Sequence, residues 1–314
     1  MGVELRMEKL FQNTPGRAVR DPAVTEFQGK YYLCYAAVEN KSGRPGICIA
    51  DADNIQALSV AEDHFVYLAE KDHPWSEELW APELHFLDGS WWVYVACDDG
   101  HNENHRMYVL GNHSQDPMAP YALVGKIADA TDKWAIDGTV FSHQNCRYFV
   151  WSGWEGDENV AQNLYIARMK NPYTLASERV LLSSPEQPWE QKGGTGTPDG
   201  LPFINEGPFA FTLDSDTYLA YSASGSWCAE YCIAYLKLMG NDPMNPYHWR
   251  KCEEPILTEN DVVKGAGHCT MVPTDTGHLV FFHAWDKRET DVRWNTVNTY
   301  CGKLVRLDGK LSIV

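Results

Sequence analysis

Basic residues are scarce in this sequence. Its 314 residues include 26 Lys and Arg against 43 Asp and Glu, which gives a formal net charge of −17. A phosphate backbone is bound by a basic face, so this balance argues against a nucleic-acid partner. It also disfavours binding to an anionic membrane surface. The composition favours a neutral ligand.

Long apolar runs and paired cysteines are missing too. No apolar run approaches the length of a transmembrane helix. The segment MGVELRMEKLFQNT at the start lacks the apolar core of a signal peptide. The nine cysteines form no CxxC pair, so a zinc cage or a thioredoxin-like motif is not expected. These absences favour a cytoplasmic protein, although a secreted protein in trimmed mature form would look the same.

Aromatic strand-like segments, in contrast, are abundant, while helix signals are few. Five such segments begin 57 to 70 residues apart: YYLCYAA from Tyr31, WWVYVAC from Trp91, YFVWSG from Tyr148, YLAYSAS from Tyr218 and LVFFHAW from Leu279. Each precedes a second strand-like segment, at 47–52, 107–112, 163–169, 231–238 and 296–307. This period, with strands in every copy, is typical of a β-propeller. The sequence therefore predicts an all-β, five-bladed β-propeller that forms one domain over residues 1–314.

An ionisable residue lies eight to twelve residues before the start of every aromatic segment: Asp21, Glu83, Asp137, Glu206 and His268. Because a propeller directs one equivalent strand of each blade at a shared axis, we expect these residues to meet in one pocket. Converging carboxylates repel one another, so at least one pKa should rise. Hydrolysis of a glycosidic bond needs this split, since one acid must stay protonated while another is ionised. For Glu83 we expect a structural role.

A set of ordered motifs carries a family resemblance. The motifs are RDP at 20–22, WAPELH at 80–85, IDGTVF at 136–141, VWSGWEG at 150–156, QNLYIARMKNP at 162–172, NEGP at 205–208, YSASG at 221–225 and GHCT at 267–270. Together they resemble glycoside hydrolase family 43, and more narrowly its exo-acting α-L-arabinofuranosidases. The resemblance covers the chain from about residue 10 to its end and implies a five-bladed β-propeller.

The resemblance also implies catalytic roles. Asp21 would be the general base that acts on water, and Glu206 would be the general acid. Asp137 would orient that acid and raise its pKa. The family inverts the anomeric configuration, which implies an acid–base separation of roughly 6.5–9.5 Å to leave space for the water. No organic cofactor is expected.

His268 matches a family histidine near the axis that in many members helps to hold a metal ion, often calcium, largely through water. The resemblance therefore implies a calcium ion on the propeller axis. A single imidazole is a weak reason for calcium, which prefers oxygen ligands, and a satisfied core histidine is the alternative. The chain also departs from the usual GPGHN motif, because Ala266 replaces Pro and Cys269 replaces Asn.

Four further residues are candidates for substrate binding. Trp80 is a candidate wall of the terminal-sugar subsite, and Trp154 and Trp227 lie in predicted loops where they would stack on sugar faces. Packing is the alternative role for each Trp. Arg293 matches an arginine that reaches sugar hydroxyls in relatives, and its guanidinium offers several hydrogen bonds to a polyol. The alternative is a surface arginine.

The leading hypothesis is an exo-acting α-L-arabinofuranosidase on arabinan, arabino-oligosaccharides or arabinose-decorated glycans. A β-xylosidase on the same fold is the close alternative, because the two sugars differ little in their polar groups. A non-catalytic carbohydrate-binding propeller is a third possibility, although all three acids are present. Protein-interaction propellers have shorter repeats of ~40–50 residues with WD or kelch signatures, which this sequence lacks.

Overall fold

A computed structural model describes residues 7–14, 16–193, 200–293 and 296–314. The regular structure of these residues is β-strand, apart from 3₁₀ turns at Gln56–Ser59, Asn102–Asn104 and Pro246–His248. The all-β prediction is confirmed. In these ranges no helix is long and apolar enough to cross a bilayer.

After β1 (Glu8–Phe11), the strands fall into five consecutive groups. The first contains β2 (Ala23–Phe27), β3 (Lys30–Val38), β4 (Pro45–Ala52) and β5 (His64–Leu68). The second contains β6 (Glu77–Leu87), β7 (Ser90–Asp98), β8 (Arg106–Gly111) and β9 (Ala122–Lys126). The third contains β10 (Ala135–His143), β11 (Cys146–Gly153), β12 (Ala161–Asn171), β13 (Thr174–Leu175) and β14 (Val180–Ser183). The fourth contains β15 (Phe203–Leu213), β16 (Asp216–Ala223), β17 (Cys232–Leu238) and β18 (Trp249–Lys251). The fifth contains β19 (Val263–Thr274), β20 (Gly277–Asp286), β21 (Asn298–Leu307) and β22 (Lys310–Ile313).

Pairing within each group is antiparallel, and consecutive strands are neighbours in the sheet, except that β13 and β14 both pair with β12. The third and fourth groups share one sheet through a short parallel pairing of β12 with β15. In the fifth group, β21 pairs with β1, so an early segment of the chain completes this sheet.

The five aromatic segments all lie in the second strand of a group, namely β3, β7, β11, β16 or β20. Each pairs with the following predicted segment, as expected. These strands are buried along most of their length, which explains why they are almost continuously apolar instead of alternating.

Five hydrophobic clusters separate the groups, one between each successive pair and one between the fifth group and the first. Representative neighbours across them are Tyr32 and Trp91, Tyr94 and Phe149, Val150 and Tyr221, Tyr218 and Val280, and Phe281 and Leu33. The first strands of the groups are neighbours in the same order, β2 with β6, β6 with β10, β10 with β15, β15 with β19, and β19 with β2. These contacts run in a cycle through the five first strands.

Candidate active site

A residue in the left-handed backbone region occurs at an equivalent place in all five groups, ten or eleven residues before the aromatic segment. These residues, with their φ angles, are Asp21 (52°), Ala81 (46°), Asp137 (57°), Gly207 (55°) and His268 (52°). In β6, β10, β15 and β19 they coincide with β-bulges. A bulge re-aims side chains, and non-glycine residues in this region are strained and concentrate at functional sites. The backbone conformation therefore identifies one equivalent position in each of the five groups, independently of the side chains.

In the second group the equivalent position belongs to Ala81, which corrects the place given to Glu83 in the sequence repeat. The register of β6 shifts on both sides of Trp80, so counting residues back from the aromatic segment misses the bulge. Glu83 is buried, and its Oε2 lies 2.8 Å from Nε2 of His85. Its expected structural role agrees with this pairing.

Asp21, Asp137 and His268 come together although they are distant in sequence. Nδ1 of His268 lies 3.4 Å from Oδ1 of Asp21 and 3.8 Å from Oδ2 of Asp137. The backbone N–H of His268 donates to Oγ of Ser222 over 2.6 Å, which fixes the bulge that carries the imidazole. The predicted meeting of these three residues is therefore present in the structure.

Asp21, Asp137 and His268 form, together with Glu206, the carboxylate cluster. Glu206 joins it through Gly207, the residue that follows it. The backbone N–H of Gly207 donates to Oδ2 of Asp137 over 2.9 Å. A Cβ at position 207 would lie 3.1 Å from Nδ1 of His268, so the left-handed turn also needs a glycine for space. The hydroxyl of Tyr231 donates to Oε1 of Glu206 over 2.8 Å. Asp137 thus holds the turn that presents Glu206.

Nitrogen atoms surround the carboxylate of Asp21. Nδ1 of His283 lies 3.0 Å from its Oδ1, and Nε of Arg20 lies 3.8 Å from the same oxygen. Burial opposes ionisation, but His268, His283 and Arg20 outweigh it and hold the pKa of Asp21 well below its usual range. Asp21 is therefore ionised across the physiological pH range.

The surroundings of Glu206 shift its pKa in the direction opposite to that of Asp21. Burial and the neighbouring Asp137 carboxylate raise the pKa of Glu206 well above its ordinary value of 4.5, against the lowering effect of the Tyr231 hydroxyl. Burial also raises the pKa of Asp137, and the charge of Asp21 adds to that increase although His268 opposes it. The cluster therefore holds one carboxylate that is readily ionised and one that retains its proton.

His283 and Tyr231 were missed at the sequence level because both lie in or beside apolar strands, where they read as core residues. His283 belongs to the segment LVFFHAW, and its side chain is fully buried. The available signal was a single ionisable residue inside an otherwise apolar strand. Tyr231 precedes β17, and nothing in its local sequence indicates a hydroxyl partner.

Trp80 precedes Ala81 in β6 and packs against the hydrophobic cluster between the second and third groups. Its ring stacks on the buried His105 with centroids 3.9 Å apart, and its Nε1–H donates to Oε2 of Glu78 over 2.9 Å. The indole is half-buried and held in one orientation. That Trp80 forms a wall of the terminal-sugar subsite stays a prediction. A half-buried indole with a fixed orientation is compatible with it.

Trp154 is placed differently from the prediction. It is 4% exposed and stacks on Trp134, with ring centroids 4.7 Å apart and planes 10° from parallel. Both rings belong to the hydrophobic cluster between the second and third groups. A sugar-stacking role for Trp154 is therefore not supported, because packing covers its ring.

Trp227 is 38% exposed, and its Nε1–H donates to the carbonyl of Gly193 over 2.6 Å. The neighbouring Ser226 accepts a hydrogen bond of 2.9 Å from Arg20, the residue before Asp21. An exposed aromatic surface thus lies on a loop tied to the Asp21 segment, which suits the predicted stacking role.

Arg293 forms a two-point ion pair with Asp291, and its side chain is 68% exposed. This placement is that of a surface arginine. Its predicted contact with sugar hydroxyls stays a prediction.

A calcium ion at His268 would depend on water for most of its ligands. Nδ1 of His268 already faces two carboxylates, and within the described ranges no three His, Cys, Asp or Glu side chains are arranged to hold a metal. Calcium takes six to eight oxygen ligands, so these side chains alone do not complete a site. Largely water-mediated binding, as the resemblance implies, is the form that the donor set permits.

Comparison with known proteins agrees with this geometry. The α-L-arabinofuranosidase B of Pyricularia oryzae is 29% identical over 293 residues, covering 90% of this chain and 57% of that protein. The extracellular exo-α-(1→5)-L-arabinofuranosidase of Streptomyces chartreusis is 29% identical over 287 residues, covering 89% and 84%. The crystal structure of an α-L-arabinofuranosidase from Lactobacillus brevis superimposes with a TM-score of 0.81 at 26% identity, covering 94% and 93%.

The chain thus spans little more than half of the first relative and most of the second. The family model for glycosyl hydrolases family 43 matches residues 16–301, a range that contains every residue of the carboxylate cluster. On this match the chain belongs to family 43 of the glycosyl hydrolases.

Proposed function

We propose that the chain is an exo-acting α-L-arabinofuranosidase that inverts the anomeric configuration. The observation that carries this proposal is the opposite electrostatic environment of Asp21 and Glu206 inside one cluster. A single-step displacement needs an ionised base and a protonated acid at the same pH, and these two environments supply them. A binding protein would have no need for such a difference.

In the proposed reaction, Glu206 gives its proton to the glycosidic oxygen as the bond to the anomeric carbon breaks. Asp21 takes a proton from the water whose oxygen attacks that carbon from the opposite face. The products are a free sugar and the shortened glycan, with Glu206 ionised and Asp21 protonated until solvent restores them. Asp137 acts through its hydrogen bond from Gly207 and through its charge, which together orient Glu206 and favour its protonated form. No organic cofactor takes part.

The proposed substrate is terminal α-L-arabinofuranose on arabinan, arabino-oligosaccharides or arabinose-decorated glycans. It is supported by relatives named as arabinofuranosidases that match about nine-tenths of this chain. The half-buried Trp80 and the exposed Trp227 supply apolar faces that suit a sugar ring. The net charge of −17 favours a neutral glycan over an acidic one.

We further propose that the five strand groups are the blades of a closed propeller and form one catalytic domain over residues 1–314. The cyclic order of the first strands and the cluster between the fifth group and the first support closure. A calcium ion near His268, bound mainly through water, completes the proposal.

The test is hydrolysis of arabino-oligosaccharides and xylo-oligosaccharides by the purified protein, with the product anomer recorded by proton NMR during the first minutes. Arabinose released as the β-anomer is the expected result. Release of the α-anomer would contradict inversion. Xylose alone would make the protein a β-xylosidase with the same acids, and release of neither sugar would contradict the proposed activity.

A further inference from the structure

His283 makes the shortest ion-pair contact that the structure gives Asp21. Its Nδ1 lies 3.0 Å from Oδ1 of the carboxylate, compared with 3.4 Å for His268 and 3.8 Å for Arg20. His268 divides its contact between Asp21 and Asp137, and Arg20 also donates to Ser226. Of these three neighbours, His283 therefore lies closest to the carboxylate of Asp21.

Nδ1 of His283 faces two groups of Asp21: Oδ1 of the carboxylate at 3.0 Å and the backbone nitrogen at 3.4 Å. Donation to the nearer carboxylate oxygen needs the proton on Nδ1, whereas the backbone N–H would need a lone pair there. Nε2 is buried and has no hydrogen-bond partner among the residues that the structure describes. Burial lowers the pKa of His283 to about 4, against the raising effect of Asp21, and the ring is neutral at ordinary pH. A buried polar atom without a partner calls for an explanation beyond packing.

The ring of His283 is also fixed in orientation. It lies on β20, between Gly267 of β19 and Thr299 of β21. The ring of Tyr231 stacks on it with centroids 5.6 Å apart and planes 12° from parallel, in space that a side chain at Gly267 would fill. The same tyrosine donates its hydroxyl to Glu206. The stacked rings of His283 and Tyr231 therefore connect a residue that contacts Asp21 with a residue that donates to Glu206.

We propose that His283 is a positioning residue for the general base, in which its Nδ1–H holds Oδ1 of Asp21 and leaves Oδ2 to accept the proton of the attacking water. This role rests on the proposed function. The backbone of Asp21 is in the left-handed region, which is strained for a residue other than glycine. The orientation of its carboxylate therefore depends on contacts with neighbouring residues such as His283. The contact with His283 lowers the pKa of Asp21 and so favours the ionised form that a base needs.

Two amide substitutions separate the donor from the rest of the side chain. His283→Asn puts an amide N–H near the place of Nδ1–H, whereas His283→Gln puts it near the place of Nε2. Both are polar and smaller than or similar to histidine. His278→Gln is the matched control, because His278 is a second buried histidine of β20 with an unpartnered ring nitrogen. We measure kcat and KM on an arabino-oligosaccharide and on an aryl arabinofuranoside with a good leaving group.

We expect His283→Gln to lower kcat about 10²-fold on both substrates, as a misplaced base does, with KM within about twofold. His283→Asn should keep kcat within about fivefold of wild type, and His278→Gln should keep it unchanged. Equal kcat for the Asn and Gln variants, whether both high or both low, would overturn the positioning role. A loss confined to the oligosaccharide would also overturn it, because that pattern belongs to the acid.

Folding of each variant is checked by its thermal transition. If His283→Gln does not fold, His283→Phe keeps a ring against Tyr231 without the donor and must show the same loss on both substrates. A Phe variant with wild-type kcat contradicts the inference. A wild-type protein that hydrolyses neither substrate contradicts the proposed function instead, so the two failures are distinguishable.

Discussion

Asp21, which lies just before β2, and Glu206 of β15 carry the same functional group, yet their surroundings differ. Asp21 faces the nitrogen atoms of His283, His268 and Arg20. Glu206 faces a second carboxylate, that of Asp137, and a tyrosine hydroxyl. The first environment lowers a carboxyl pKa and the second raises one. The roles of base and acid are therefore set by neighbours from other strand groups and not by the residue type.

Removal of the base should produce the largest effect. Asp21→Asn keeps the shape of the side chain and its contact with His283 but cannot take a proton from water. We expect kcat to fall about 10³-fold on natural and activated substrates alike. Asp51→Asn is the control, since Asp51 pairs with Lys30 on the first group, away from the cluster. A near wild-type rate for Asp21→Asn would remove Asp21 as the base.

Removal of the acid should discriminate between substrates. In Glu206→Gln no proton reaches the leaving oxygen, so kcat on arabino-oligosaccharides should fall about 10³-fold. On an aryl arabinofuranoside with a good leaving group the loss should stay below about tenfold, because such a group departs without protonation. The measurement is kcat of Glu206→Gln and of the wild type on both substrates. Equal losses of kcat on the two substrates would argue against an acid role for Glu206.

Two substitutions should move the alkaline limb of the pH–rate profile in opposite directions. The rate falls as pH rises through the pKa of Glu206, since only the protonated form is active. Asp137→Asn removes a negative charge that raises this pKa, so the limb should move about one pH unit lower. Tyr231→Phe removes a hydrogen bond that lowers it, so the limb should move higher by a similar amount. Shifts of the same sign would contradict the opposite effects of Asp137 and Tyr231 on the pKa of Glu206.

Removal of a bound ion should have the smallest effect. If calcium is held near His268, a chelator should lower the melting temperature by about 3 °C or more, and added calcium should restore it. Differential scanning fluorimetry with and without chelator measures this. Unchanged melting and unchanged rate would leave His268 as a buried histidine that contacts Asp21 and Asp137 without an ion.

Much of the fold could be predicted from the sequence, because strand periodicity and the spacing of aromatic segments are local properties. The positions of Asp21 and Asp137 followed from the same repeat, and Glu206 lies one residue before the equivalent position at Gly207. The register within a strand did not follow, since a β-bulge adds a residue without a distinctive local signature. That is why Glu83 took the place of Ala81 in the repeat.

Side-chain partners that are distant in sequence could not be predicted. Trp154 is buried because Trp134, just before β10 of the same group, covers its ring. The role proposed for His283 depends on its contact with Asp21, which lies in another strand group. Such contacts arise from the folded arrangement, so one sequence read along its length does not reveal them.

The pairing of β1 with β21 has a consequence for biosynthesis. The fifth strand group carries His268 and His283, and it takes one of its strands from residues 8–11. Residues 8–11 are made before β21 and must wait for it while the strands between them are synthesised. Such non-local pairing is slow to form. The group that carries His268 and His283 is therefore the last of the five to be completed, and hydrolysis by a refolding chain would report that this pairing has formed.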